Sequence, residues 1–416
     1  MRSTNPLADV VIIGGGIIGL AIAYQVARRS DLRVVLLDKG NGVGEGSTGA
    51  SSAVLRHRYS FDEMVALARD GVDAYREWPA FTGLTHPRAV FEAAGVLWMP
   101  GDDGDWASVE HRRMQSLGVP SEVLDDRALA KRFPAFSPCR HAPDVQTGIE
   151  HGCEGGSKHL FESTGGFIDP VAAAEDLVEA SLREGVDVRY GANVAQVRQL
   201  AGRMAGVTLN DGTAIDAPCV VNAAGPWCND IFRMLEIECP WTLAPTRIQV
   251  LYLDRPPELI GAIPVSIDMV GGVYFRLQNR GQQLVVGSTL SSDEREQVAN
   301  PDEFDRFVDA EFSRSRLHAL HHRLPALPYK GSVRGYCGLY TINREDVHPI
   351  VGRTPVEGFL VAIGFSGHGF KLAPAVGSLI AQSITGQRLD FDTAVSPAFL
   401  SFDRQPLALS DKSVLA

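Results

Sequence analysis

Three stretches place residues where their types and spacing could do chemistry. Near the start, Gly14, Gly16 and Gly19 form a GxGxxG spacing directly after the apolar run DVVII, and Asp38 closes the apolar run that follows. That spacing suits a pyrophosphate. The first glycine permits a tight turn, the second lets backbone approach phosphate, and the third lets a helix pack on the strand. The helix N-terminus attracts the anion, and an acid about 20 residues on accepts from a ribose hydroxyl. The second stretch, GEGSTGASSAVLRHRYS, sets the small hydroxyl residues Ser47, Thr48, Ser51 and Ser52 before Arg56, His57 and Arg58. Its short donors can wrap a pyrophosphate and a sugar chain. The third, GFSGHGFKLAPAVG (364–377), puts His368 and Lys371 where a glycine loop runs into a helix.

These residues need elements to hold them. DVVIIGGGIIGLAIAYQVARRSDLRVVLLDKG reads as strand, turn, helix and strand, the second strand running Arg33 to Leu37. Ser60-Phe-Asp-Glu63 has the form of a capping box opening a helix to about Trp78, with Val65, Ala68, Val72 and Tyr75 on its apolar side. Residues 91–100 read as a strand, and 103–133 as short helices and loops at the surface. In 165–194, Asp169 can cap a helix, Pro170 suits its first turn and Gly185 stops it, before a strand ending near Val194. Asn210-Asp-Gly212 signals a hairpin, and Cys219 to Asn222 is a buried strand running into AAGPW. RIQVLYL, GVYFRLQ and QQLVVGST have an antiparallel-sheet pattern, and a long helix is expected around 302–324.

The fold class expected is α/β (α+β): a Rossmann-like nucleotide domain interleaved with an antiparallel-sheet substrate domain. Residues 1–88, 150–235 and 331–416 are assigned to the first, and 89–149 and 236–330 to the second. The order of motifs resembles the amine-oxidising flavoproteins of the D-amino-acid-oxidase superfamily, in particular the sarcosine-oxidase-like enzymes. The likeness covers nearly the whole chain, from GxGxxG through GFIDP and NAAGPW to GHGFK.

The resemblance implies FAD between the two domains and oxidation of a C–N bond of a small carboxylate-bearing secondary amine, or an N-methyl or cyclic amino acid, to an imine. Lys39, Val194, Ala224, Gly225 and Trp227 are then expected along the cofactor with the glycines and hydroxyls above. Gly338, Gly367, Gly369, Phe370 and Lys371 are expected at the ring end. Arg56 and Lys371 match that family's clamp for a substrate carboxylate. His368 would touch flavin or satisfy a backbone carbonyl. Tyr274 and Tyr340 would line the pocket.

Two departures from the family pattern matter. Cys337 is displaced by one residue from the family's flavin-linked cysteine, and Gly338 stands at the expected place, so the FAD is expected to be non-covalent. Val285 stands where an oxygen-activating lysine is expected, so the electron acceptor is oxygen or another carrier. Rival readings are an FAD-dependent 2-hydroxy-acid dehydrogenase, with His57 or His368 as base, and a flavoprotein subunit of a larger electron-transfer complex.

The charge balance excludes other classes. Net charge is −11 with no basic run, which argues against nucleic acid. The uncharged run Val10 to Ala27 could pass for a membrane span, but three consecutive glycines argue for a strand, turn and helix. Six scattered cysteines without CxxC spacing suggest reduced thiols in a cytoplasmic protein and no metal site.

Overall fold

The computed structural model describes residues 7–102, 104–328, 332–409 and 412–415. Val10–Ile13, apolar and β-branched, is central in a six-stranded sheet, parallel to Val34–Leu37 on one side and Cys219–Asn222 on the other. Asp187–Arg189 and Phe359–Ile363 extend it in parallel, and Ile350–Arg353 closes one edge antiparallel. Val10–Ile13, Val34–Leu37 and Phe359–Ile363 are buried throughout, as strands covered on both faces must be.

The Ile17–Ala27 helix is buried on every side. It packs against the Pro170–Arg183 and Gly369–Thr385 helices, which is why it has no polar face. Close approach to the final helix depends on Gly377, where a Cβ would stand 2.8 Å from the Ala21 carbonyl oxygen.

The second large sheet has eight strands. In spatial order they are Val333–Asn343, Leu243–Asp254, Gln283–Ser288, Val273–Gln278, Val265–Asp268, Val96–Met99, His159–Glu162 and Ser121–Leu124. All pairings are antiparallel except that of Val265–Asp268 with Val96–Met99. His159–Glu162 and Val333–Asn343 belong to this sheet, although the sequence ranges put them with the nucleotide domain. The boundary at 330/331 lies outside the described residues.

Local expectations fail where tertiary contacts compete. The capping box at Ser60 does not form. The helix runs Asp62–Arg76 with Phe61 at its N-cap and no side-chain cap. Phe61 instead packs edge-on against His348 and Phe399, while Asp62 and Glu63 favour the helix dipole from the first turn. The strand expected to end near Val194 ends at Arg189, and Val194 opens the next, Val194–Leu200. The helix expected around 302–324 begins only at Ala310. Buried Arg247 takes the carbonyl oxygens of Asp305 and Phe307 and the Asp309 carboxylate, holding that segment out of helix.

Asp169 caps the Pro170–Arg183 helix as expected, its carboxylate accepting from the Val171 and Ala172 N–H groups. The cysteines are less scattered in space than in sequence. Cys139, His151, Cys153 and His322 meet with one ligand atom from each, all within 4.8 Å of one another. Linear spacing hides this, because His322 arrives from the distant Ala310–Arg323 helix. Among the described residues no helix is long and apolar enough to cross a membrane.

Candidate active site

A cavity of about 1170 Å³ runs along the carboxyl ends of the nucleotide-sheet strands. That exceeds the roughly 300–1,000 Å³ of common small-molecule sites and suits an elongated dinucleotide. Its floor is the glycine turn. Gly14 has φ +112°, and a Cβ there would lie 2.3 Å from the Ala223 carbonyl oxygen. At Gly19 a Cβ would lie 1.8 Å from the Gly14 carbonyl oxygen, so only glycine lets the helix sit this close. Gly16 is the N-cap of the Ile17–Ala27 helix and makes no side-chain cap bond.

The Ile17 N–H donates instead to Thr48 Oγ1 at 2.9 Å. The Thr48 hydroxyl proton is then free to point at an anion on the same helix end. Asp38 accepts from the Gly15 N–H at 2.6 Å and the Gly40 N–H at 2.7 Å, one on each oxygen. Each oxygen keeps a lone pair for a ribose hydroxyl. At the cavity wall Lys39 lies 4.0 Å over the Trp227 ring and pairs with Asp302, which also accepts from Trp227 Nε1 at 3.1 Å. Val194, Ala224 and Gly225 continue that wall.

The hydroxyl loop divides its work. Ser47, Thr48 and Ser51 line the cavity. Ser47 Oγ donates to the Leu339 carbonyl at 2.7 Å, and Ser51 Oγ accepts from the Ala53 N–H at 3.0 Å. Ser52 does not line the cavity, and its carbonyl accepts from Arg276 Nε at 2.5 Å. Gly338 lies behind this loop, where a Cβ would stand 2.6 Å from Ala50 Cβ. Cys337, one residue earlier on the strand, faces the other way, and its thiol donates to the Phe307 carbonyl at 3.2 Å.

Gly367, at φ +85°, lets Tyr340 close against the turn, since a Cβ there would lie 2.6 Å from the Tyr340 ring. Gly369 and Phe370 follow on the cavity wall at the start of the Gly369–Thr385 helix, whose first turn has no side-chain cap. Pro374, inside that helix, has no N–H for the Phe370 carbonyl. The Tyr75 hydroxyl donates to it at 2.8 Å instead.

Beyond this helix start the character changes from backbone to buried side chains. Arg56 lies 4.2 Å from the centre of the Tyr59 ring and Lys371 5.8 Å from it, so two buried cations share one aromatic ring. Burial, then the Arg56 charge, holds Lys371 well below the ordinary lysine value. Among the described residues no carboxylate forms an ion pair with either cation. Arg56 Nη2 donates to the Val414 carbonyl at 2.6 Å and Nη1 to the Arg58 carbonyl, while Arg58 Nη1 takes the Leu415 carbonyl at 2.9 Å. Lys371 owes its position to Gly71, where a Cβ would stand 2.1 Å from the Lys371 carbonyl oxygen.

His57 does not face the cavity as a free base. Its N–H and Nδ1 both meet Glu162 Oε2, at 2.7 and 2.8 Å, and Trp98 Nε1 donates to Oε1 at 2.7 Å. Burial pushes the Glu162 carboxyl up, but His57 and Trp98 outweigh it and hold the group below the usual range. His368 is fully buried, its ring edge-on to Tyr59, and neither ring nitrogen makes a hydrogen bond of normal geometry. Burial and then Lys371 hold it well below the ordinary histidine value, so it is neutral at pH 7. Burial raises the Tyr340 phenol well above its ordinary value and raises Tyr274 as well. Tyr340 borders the cavity, whereas Tyr274 lies against Gly287 in the eight-stranded sheet.

Sequence reasoning missed Tyr59, Gly71, Trp98 and Glu162. Tyr59 stands three residues after Arg56 and could have been suspected. Gly71, Trp98 and Glu162 sit in ordinary helix or strand patterns that carry no signal.

Known proteins share this architecture. L-proline dehydrogenase from P. horikoshii superposes with a TM-score of 0.79 over 96% of this chain and 97% of that one, at 23% identity. In sequence, monomeric sarcosine oxidase of Streptomyces avermitilis is 25% identical, covering 92% of this chain and 95% of that protein. FAD-dependent oxidoreductase domain-containing protein 1 of Xenopus laevis is also 25% identical, covering 91% and 79%. The DAO family model, FAD dependent oxidoreductase, matches residues 9–383. With the glycine turn, the Asp38 acceptor and the capless helix starts all opening on one dinucleotide-sized cavity, the chain belongs to the DAO family of FAD-dependent oxidoreductases.

Proposed function

We propose that this flavoprotein oxidises a small amine carrying a carboxylate, a secondary or N-methyl or cyclic amino acid, to the imine. The observation that carries the reading is the pair of buried cations, Arg56 and Lys371, at one aromatic ring beside the helix start that borders the cavity. Two desolvated basic groups without a carboxylate partner are costly to keep charged, and burial and Arg56 already disfavour the charge on Lys371, so an anionic ligand would repay their burial and favour the charged lysine. When bound, FAD accepts two electrons and a hydrogen from the substrate carbon.

The chain's own residues do the rest. Arg56 offers a planar fork and Lys371 a point charge, which together fix a carboxylate and so the substrate's orientation. The first-turn N–H groups of Gly369 and Phe370 add positive potential at the ring end. Tyr340 excludes water on one side. Cys337 faces away from the cofactor loop, which supports non-covalent binding. Val285, buried opposite Arg276 in the sheet, offers no cation for oxygen. That supports slow reoxidation in air and an acceptor other than oxygen.

The 2-hydroxy-acid reading keeps one supporting observation, the neutral His368, whose ring nitrogens make no hydrogen bond of normal geometry and which could take a hydroxyl proton. Anaerobic bleaching of the bound flavin tests both. Sarcosine, proline and N-methyl amino acids are expected to bleach it, with amines lacking the carboxylate much slower. Bleaching by 2-hydroxy acids alone would replace the amine reading.

A further inference from the structure

We propose that Cys139, His151, Cys153 and His322 form a structural zinc(II) site outside the flavin cavity, which staples the 133–158 segment to the Ala310–Arg323 helix. No part of the proposed flavin chemistry uses these residues. The Cys139 thiol sulfur lies 3.3 Å from His151 Nε2, and the Cys153 sulfur lies 3.9 Å from His322 Nε2. All four ligand atoms lie within 4.8 Å of one another. A tetrahedral ion with Zn–S about 2.3 Å and Zn–N about 2.0–2.1 Å would put sulfur and nitrogen about 3.6 Å apart, between the two distances seen.

The donor set selects the metal. Two thiols and two imidazoles in a compact cluster suit zinc, and the absence of a carboxylate from the set disfavours calcium and magnesium. Four protein ligands leave no open position for water, which is the pattern of a structural and not a hydrolytic site.

The backbone around the cluster is already arranged to present these side chains. The Arg140 N–H donates to the Glu154 carbonyl at 2.9 Å, which sets Cys139 and Cys153 side by side although they are fourteen positions apart. Arg323, next to His322, donates to the Ser137 and Cys139 carbonyls at 2.5 and 3.1 Å, and forms a buried two-bond pair with Asp268. So the helix end and the cysteine loop are joined on both sides of the ligands.

The need for a staple is physical. Residues 133–158 contain no helix or strand, and irregular connections longer than about 12–15 residues are uncommon in compact domains unless something ties them down. Apolar burial in this segment is thin: Phe133, Phe136 and Cys139 are buried, while 148–156 is exposed throughout. A disulfide between Cys139 and Cys153 is the competing chemistry. It would not explain why two imidazoles converge on the two thiols.

The test uses the full-length flavoprotein without an affinity tag, purified under reducing conditions. Elemental analysis is expected to find one zinc per chain, independent of flavin content. Cobalt(II) added to chelator-stripped protein is expected to give tetrahedral d–d bands and a thiolate-to-cobalt band. Cys153→Ser and His322→Gln should weaken cobalt binding by more than the about 10–100-fold that loss of an outer-shell partner costs. Cys239→Ser, a thiol outside the cluster, should retain the metal. Stripping should open 140–158 to protease while the flavin stays bound.

Zinc-free protein whose reduced form takes up neither zinc nor cobalt would overturn the proposal. So would a Cys139–Cys153 disulfide in freshly purified protein, or full metal content in both ligand variants. The wild-type measurements stand even if a variant fails to fold.

Discussion

The two ends of the long cavity are built from different materials. At the nucleotide end the binding groups are backbone amides and turns, placed by Gly14, Gly16 and Gly19 within a few residues of one another. The other end meets a cluster of buried side chains that do not line the cavity itself and come from separate parts of the chain: Arg56 and Tyr59 after the hydroxyl loop, Trp98 and Glu162 from the eight-stranded sheet, and His368 and Lys371 from the last helix start. Backbone geometry tolerates almost no substitution. Side-chain geometry can change chemistry while the scaffold stands. The comparison therefore predicts all-or-none failure at the first end and graded loss at the second.

The largest effect belongs to Gly19→Ala. Its Cβ would meet the Gly14 carbonyl oxygen at 1.8 Å, and neither backbone segment can move without dislodging the helix from the strand. The purified variant should carry little or no flavin, read from its visible absorbance, and should melt well below wild type. Wild-type flavin content would mean that the turn is softer than its geometry implies, and the contrast between the two ends would lose its basis.

Arg56→Ala comes next. Removing one charged hydrogen-bond partner from a desolvated clamp should cost about 2–4 kcal/mol, roughly a 30- to 1,000-fold loss in kcat/KM, with flavin content intact. Arg56→Lys should lose less, because it keeps the charge and gives up only the fork. Near-normal efficiency on a carboxylate substrate in both variants would remove the clamp.

This division also explains what could be read from the sequence. The nucleotide sheet and the glycine turn were legible because strand, turn and helix are consecutive and their residues act locally. Arg56 and Lys371 were legible only through resemblance, since nothing near either residue reveals that the other lies beside the same ring. Glu162 was hidden because a single acid in HLFE looks like an ordinary surface position, yet it is fully buried beneath His57 and Trp98. The start of the Ala310–Arg323 helix was misplaced for a related reason: the segment before it is held by Arg247, a partner about 60 positions away. The cluster at Cys139 was hidden by the same rule, because His322 stands 169 positions from Cys153.

A smaller effect is expected at the C-terminal tail. The Val414 and Leu415 carbonyls occupy N–H groups of Arg56 and Arg58 that a substrate carboxylate could use. Deleting residues 412–416 should lower KM about 3- to 10-fold, which corresponds to about 0.7–1.4 kcal/mol of relieved competition, and should change kcat little. A rise in KM would make the tail part of the substrate wall and not a competitor.

The smallest effect concerns His368 and the dryness of the ring end. Burial and Lys371 depress its folded-state pKa, while in the unfolded chain it titrates near 6.5. Below about pH 6.5 the unfolded chain takes up a proton that the folded protein refuses, so stability falls as pH falls, by up to about 1.4 kcal/mol per pH unit until the folded group titrates. His159, which burial lowers to about 4, adds the same slope in wild type and variant alike. Melting temperatures of wild type and His368→Gln between pH 8 and pH 5 therefore report on His368 together with His348, whose ring lies 5.9 Å away and which burial also lowers. Wild type should lose stability more steeply below pH 6.5, and the variant should follow a flatter curve. Parallel curves would mean that His368 takes a proton in the folded state as readily as in water. The ring end would then be wet, and the cost of burying Arg56 and Lys371 would no longer require an anionic substrate.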